Sequence, residues 1–303
     1  MSTELTAIQT VAVVGAGQMG AGIAQVAARA GLTVTLCDQA ESQAAAAVAK
    51  MATRMRRQET DGKSASGSTD EVLGRIRTGG PLFGLADADF VIEAVPEQLE
   101  LKTQLFRSFD AHTKPGAILA TNTSSLSITR LARETMRPAL VVGMHFMNPV
   151  PVMKLVEVVR GTLTSDATLQ SVLVLGQRLG KQSIVSQDRP GFLVNRILIP
   201  LLNEACFALE EGVGTKRDID AGARLGLGHP LGPLELADLI GLDTVLSIAE
   251  ILHRDFGDSK YRPCPMLRNL VQAGLLGRKT GRGFYVYDES GVKAPDQTDA
   301  KKT

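Results

Sequence analysis

The chain has 303 residues, 44% of them hydrophobic, which is enough apolar material for one large or two ordinary domains and excludes a disordered chain. Its 33 basic and 32 acidic residues leave a net charge of +1, so no global positive field exists to hold nucleic acid or an anionic membrane, and an anionic ligand must be met by local charge. No run approaches the roughly 20 apolar residues of a membrane helix. The opening MSTELTAIQT lacks the basic-then-apolar layout of a signal peptide. Cys37, Cys206 and Cys264 are scattered and odd in number, and no CxxC or His-rich cluster suggests a metal. The expectation is a cytoplasmic protein without a metal.

In chain order, the apolar run 11–14 predicts a first strand, and the Ala-rich stretch 18–29 predicts a helix stopped by Gly31. Further strands are predicted at 33–37, 90–93, 118–120 and 140–143. A long helix is predicted at 40–58, followed by a mobile Gly- and Ser-rich loop at 61–70. This alternation implies a mostly parallel sheet covered by helices. After SQDRPG (186–191) helical periodicity takes over, as in 192–209 and 234–252. The predicted architecture is therefore α/β: a Rossmann-type dinucleotide-binding domain at 1–188, then an all-α domain at 189–303.

Between the first strand and helix lies GAGQMG, comprising Gly15, Gly17, Gln18, Met19 and Gly20. Alone the GxGxxG pattern is weak. Here it closes a strand and opens a helix, where glycines permit a tight turn, a close approach of backbone to pyrophosphate, and helix–strand packing. The alternative is a Gly-rich turn with no ligand. Asp38 ends the second strand, eighteen residues after Gly20. A carboxylate there accepts from ribose hydroxyls and repels a 2′-phosphate, which predicts NAD over NADP. A helix N-cap is the other role open to Asp38.

Two polar clusters, TNTSSLS (121–127) and HFMNP (145–149), follow predicted strands, where ligands sit in open α/β sheets. His145 is the only histidine so placed; a hydrogen-bonded core histidine is the bland reading. Glu157 interrupts the apolar strand KLVEVV, where a charge is costly without a partner. A His–Glu pair would supply a general base of fixed tautomer, whereas an outward-facing Glu157 would supply nothing. Asn195 falls in the first turns of an apolar helix, as a ligand-binding amide at the domain interface or a plain helix-start residue.

Taken together, GAGQMGAGIAQ, Asp38, VIEAVPE, NTSSLSIT, HFMNPVPVMKLVEVV, PGFLVNR, HPLGPLELADLIGLDT and GRKTGRGFYVY resemble the 3-hydroxyacyl-CoA dehydrogenase family, its short-chain 3-hydroxybutyryl-CoA members most closely, over nearly the whole chain. The resemblance implies an NAD-dependent oxidoreductase acting on (S)-3-hydroxyacyl-CoA, dimeric through its helical domain. It implies His145 as general base, Glu157 as its paired carboxylate, Ser124 on the reacting oxygen and near the nicotinamide, and Asn195 supporting substrate and His. It also implies that Glu97, Lys102, Asn148 and Lys279 contact NAD. In the CoA region the chain departs from the family: Arg54 stands where a small polar residue is expected. Arg54, Arg56, Arg57 and Lys63 form a basic run, from which Arg54, Arg57 and Lys63 are assigned to CoA phosphates. A solvated helix face is the competing reading.

Overall fold

Val11, Ala12, Val13 and Val14 are each at most 3% exposed. A strand buried on both faces belongs at the centre of a parallel sheet, which is why it reads as an unbroken apolar run. The computed structural model describes residues 8–62 and 68–294. Its chain divides into two compact units, Met1–Phe192 and Leu193–Thr303, four residues beyond the boundary expected from sequence.

The first unit holds eight strands among its described residues: β1 (Thr10–Val14), β2 (Thr33–Cys37), β3 (Ile76–Gly79), β4 (Phe90–Glu93), β5 (Ile118–Thr121), β6 (Val141–Phe146), β7 (Leu155–Arg160) and β8 (Gln182–Gln187). They form one sheet in the order β3-β2-β1-β4-β5-β6-β7-β8. The pairings are parallel except that of β6 with β7. Its helices are α1 (Gln18–Arg29), α2 (Glu41–Thr60), α3 (Thr69–Leu73), α4 (Leu99–His112), α5 (Ile128–Ala132) and α6 (Asp166–Arg178). Side-chain alternation along each strand separates two cores. Val11, Val13, Leu36, Ile92 and Met144 pack with Ile23 of α1, Met51 of α2 and Val172 of α6. Ala12, Val14, Val91, Leu119 and Val141 pack with Phe106 and Phe109 of α4 and Leu131 of α5.

Two strands, β3 (IRTG) and β8 (QSIVSQ), escape the sequence reading. Both are sheet edges, half exposed, and so lack the apolar run that marks a central strand. The stretch 61–70 is not all loop: Ser68 and Glu71 form a reciprocal capping box that starts α3 at Thr69. Lys63 lies outside the described residues. Asp38 does not cap the following helix; the N-cap of α2 is Ala40, and it has no side-chain cap bond.

The second unit contains α7 (Val194–Glu210), α8 (Lys216–Ala221), α9 (Pro233–Ile240), α10 (Leu242–Phe256) and α11 (Pro265–Gln272). Leu202, Cys206, Leu234, Val245, Leu252 and Tyr285 belong to its core. The helical pattern 234–252 is two helices, not one: Gly241, at φ +103°, ends α9 and opens α10. The pattern 192–209 begins later than expected, because Phe192 is left-handed at φ +50°. Buried Asp238 accepts hydrogen bonds from Phe284 N, Tyr285 N and the Tyr287 hydroxyl, and so anchors the C-terminal segment. Isolated antiparallel bridges, such as Tyr287 with Lys293, add a little β structure to a helical unit.

Candidate active site

The glycines after β1 are each explained by what surrounds them. Gly15 sits at φ +105°, and a Cβ on it would lie 2.6 Å from the Ala94 carbonyl oxygen. A Cβ on Gly20 would lie 1.7 Å from the Gly15 carbonyl oxygen, whereas one on Gly17 meets nothing within 4 Å. The first and third glycines are therefore required by the protein's own packing. The second borders open space, as a backbone that admits a ligand should. Helix α1 starts there with Gly17 as N-cap, no side-chain cap and no acidic residue in its first turn. Its leading N–H groups thus offer donors to an anion. A groove of about 620 Å³ opens at this point, lined by Gly15, Gly17, Gln18, Met19, Asp38 and the apolar Leu101. Asp38 Oδ2 accepts from Ala16 N at 2.6 Å, tying the carboxylate to the glycine turn. Free amides at the start of α1, a carboxylate at the end of β2 and apolar walls fit a dinucleotide.

The histidine is placed by strand register. β6 and β7 run antiparallel with His145 directly opposite Glu157, so the two side chains share one face of the sheet. His145 Nδ1 lies 3.1 Å from Glu157 Oε2. Glu157 is fully buried and His145 is 8% exposed. A carboxylate only accepts, so Nδ1 carries the proton and a neutral ring keeps its lone pair on Nε2. The Phe192 ring meets the imidazole edge-on at 6.1 Å between centroids. Asn122, just past β5, accepts from Phe146 N at 2.9 Å and fixes the end of β6 beside it.

The serine turn after β5 is organised by Glu97. One carboxylate oxygen, Oε1, lies 2.9 Å from Ser124 N, 3.3 Å from Ser124 Oγ, 3.1 Å from Ser125 N and 3.0 Å from Ser125 Oγ, and it also bonds Thr123. The other oxygen pairs with Lys102 at 3.1 Å. Lys102 is 1% exposed and also binds both oxygens of Glu93, at 2.8 and 2.9 Å. Burial would raise both carboxyls. At Glu97 the Lys102 charge and the hydroxyl and amide donors outweigh burial and hold it below the usual range, whereas at the more deeply enclosed Glu93 burial prevails. Lys102, expected at the cofactor, is enclosed by these protein oxygens. Gln18 Nε2 donates to Asn148 Oδ1 at 3.0 Å, joining two residues expected on the dinucleotide.

Residues 10–189 match the NAD-binding domain of 3-hydroxyacyl-CoA dehydrogenase, and residues 191–287 match that family's C-terminal domain. The chain belongs to the 3-hydroxyacyl-CoA dehydrogenase family. It is 51% identical to the 3-hydroxybutyryl-CoA dehydrogenase of Bradyrhizobium diazoefficiens over 92% of this chain and 96% of that one. It is 44% identical to the Clostridioides difficile 3-hydroxybutyryl-CoA dehydrogenase, with 92% and 99% covered. The crystal structure of (S)-3-hydroxybutyryl-CoA dehydrogenase PaaH1 from Ralstonia eutropha superposes with a TM-score of 0.90 at 46% identity, covering 93% of this chain and all of that one.

As an NAD-dependent member of this dehydrogenase family, the chain carries its remaining expected residues in separate settings. Asn195 is 7% exposed in the first turn of α7. Lys279 pairs with Asp243 through Nζ–Oδ distances of 2.6 and 2.7 Å. Arg54 Nη2 donates to Gln25 Oε1 at 2.6 Å, and Arg57 is exposed. Sequence reasoning missed Asn122, Phe192 and the role of Glu93 as a partner of Lys102. Asn122 was visible within the polar cluster after β5; the other two carry no signal until strands and turns are assembled. Among the described residues no group of three or more His, Cys, Asp or Glu side chains is arranged to hold a metal.

Proposed function

We propose that the protein interconverts (S)-3-hydroxybutyryl-CoA and acetoacetyl-CoA with NAD, using His145 as the proton-transfer group. The carrying observation is the buried His145–Glu157 pair at the carboxyl end of β6, in the same sheet whose first strand ends in the glycine turn. Such strand ends are where open α/β sheets place their ligands. When bound, NAD supplies the hydride acceptor. Gly15, Gly17, Gln18, Met19 and Gly20 receive its pyrophosphate, Asp38 its adenosine ribose, and Asn148 and Lys279 its remaining polar groups. In alcohol oxidation Nε2 of His145 takes the 3-hydroxyl proton while Glu157 stabilises the resulting imidazolium. In reduction the same imidazolium returns the proton to the 3-oxygen. Ser124 holds that oxygen, Glu97 and Lys102 hold the Ser124 turn, and Asn195 supports the substrate. Arg54 and Arg57, with Lys63, meet the CoA phosphates.

The protein is further proposed to be a cytoplasmic homodimer assembled through its second unit. Exposed Ile197, Val213, Leu225, Leu227 and Leu239 on that unit, together with three unpaired cysteines, support this. Among the described residues no helix is long and apolar enough to cross a membrane.

The deciding assay follows NADH absorbance with acetoacetyl-CoA, acetoacetate and NADPH as comparisons. Turnover is expected with NADH and acetoacetyl-CoA, and at least tenfold less efficient turnover with either substitute. Free acetoacetate reduced as well as its thioester would overturn the CoA assignment. Equal use of NADPH would overturn the role given to Asp38.

A further inference from the structure

On the sheet face covered by α1, α2 and α6, a hollow of about 330 Å³ is lined by Arg29, Lys154, Arg178 and Lys181, and by no carboxylate among the described residues. Two of these cations are committed to the main chain. Arg178 donates to the carbonyls of Ala30 at 3.3 Å and Ile8 at 2.6 Å, and Lys181 donates to those of Val150 and Met153. The Arg178–Ala30 bond also covers a carbonyl at the end of α1 that would otherwise repel an anion.

The other two cations are not so committed. Lys154 is exposed and enters no ion pair among the described residues. Arg29 buries its Nε without any hydrogen-bond partner among the described residues. One turn earlier on α1, fully buried Gln25 accepts from Arg54 through its Oε1, and its Nε2 has no partner among the described residues. Gln25 and Arg29 lie four residues apart and share a helix flank, so Arg54 reaches the flank that carries Arg29. Burial and the Arg54 charge both lower the Arg29 pKa, with Glu59 opposing them. A part-buried guanidinium beside a second one, lining a hollow that also carries Lys154, is costly unless an anion offsets the charge.

We propose that Arg29 and Lys154, with Arg54 beside them, form a phosphate seat at the end of α1 that receives the phosphate-bearing adenosine half of the acyl-CoA. This rests on the acyl-CoA reading above and extends its charge contacts from α2 to α1. The seat takes phosphate oxygens through charge-assisted hydrogen bonds and leaves the thioester end to the His145 site.

The test titrates the protein with adenosine 3′,5′-bisphosphate and compares KM for acetoacetyl-CoA and acetoacetyl-pantetheine in wild type, Arg29→Met and Lys154→Ala. Arg29→Met is expected to weaken bisphosphate binding and raise KM for acetoacetyl-CoA about tenfold, and Lys154→Ala about threefold. The KM for the pantetheine thioester should not move. Arg29→Met loses no paired hydrogen bond among the described residues and should keep the wild-type Tm, while Lys154→Ala alters only an exposed side chain. Unchanged bisphosphate affinity in both variants overturns the seat. So does an equal rise in KM for both thioesters. Binding of inorganic pyrophosphate that acetoacetyl-CoA does not displace would assign the hollow to a separate anion and overturn the CoA assignment. If wild type turns over neither thioester, the proposed function fails, while the bisphosphate titration still reads the seat directly.

Discussion

At the scale of single residues, the site depends on charges held without water. Glu157 has no solvent exposure and faces one imidazole across the strand pair. Removing the ring should abolish proton transfer but not dinucleotide binding, since the glycine turn is built by β1 and α1. His145→Gln is expected to lower kcat roughly 10²-fold or more, with NAD affinity by fluorescence titration unchanged. Glu157→Gln keeps the shape and loses the charge that favours imidazolium. A kcat loss of about tenfold or more is expected, largest in the direction that requires a protonated ring. Retained kcat in both variants would remove the pair from the mechanism. Phe192 carries a different cost. Its φ of +50° is strained for a non-glycine residue by about 1–2 kcal/mol, and its ring abuts His145. Strain kept beside the proposed proton-transfer group is the pattern of a functional site.

At the scale of elements, the start of β1 is fastened by one side chain. Asp89 accepts from Gln9 N, Thr10 N and the Thr10 hydroxyl, each at 2.8 Å, and pairs with Lys114. Burial by itself would raise this carboxyl, but the Lys114 bond and the Gln9 and Thr10 donors outweigh it and hold the value at about 2, below the ordinary 3.8. A depressed carboxyl stabilises the fold above its unfolded value and loses that contribution as pH falls through the folded one. Asp89→Asn should therefore lower Tm by roughly 2–4 °C at pH 7, with the difference from wild type closing as pH is taken from 4 toward 2. A constant difference across that window would show that the charge is not what matters. The glycine turn makes a second prediction at this scale. A methyl at Gly20 would collide with the Gly15 carbonyl, so Gly20→Ala must displace the turn or α1. NAD affinity should fall at least tenfold while the melting of the second unit is unaffected.

At the scale of the whole molecule, the three thiols report on packing. Burial, with Asp38 adding to it, pushes Cys37 up to about 12. Burial also leads at Cys264, which rises to about 11, and at Cys206, which rises further. Thiolate is the reactive form. None of the three should react with a disulfide reagent at pH 8 in the native protein, and all three should react in denaturant. Fast reaction of one thiol in the native state would locate an opening in its unit.

The amino-acid sequence by itself determined the central strands, the glycine turn and the Rossmann-type order, because buried parallel strands and tight turns restrict residue type locally. Asp38 and His145 were legible for the same reason, each standing where a short apolar run stops. Tertiary structure alone decided that His145 and Glu157 meet, since that follows from the antiparallel register of β6 and β7. It also decided that Lys102 serves Glu93 and Glu97, and that Arg54 of α2 reaches Gln25 of α1. Edge strands β3 and β8 and the break at Gly241 were hidden from a local reading. Half-exposed strands lack an apolar run, and one glycine in a helical pattern does not announce its φ. Local chemistry fixes which residues can act, and long-range pairing fixes which of them act together.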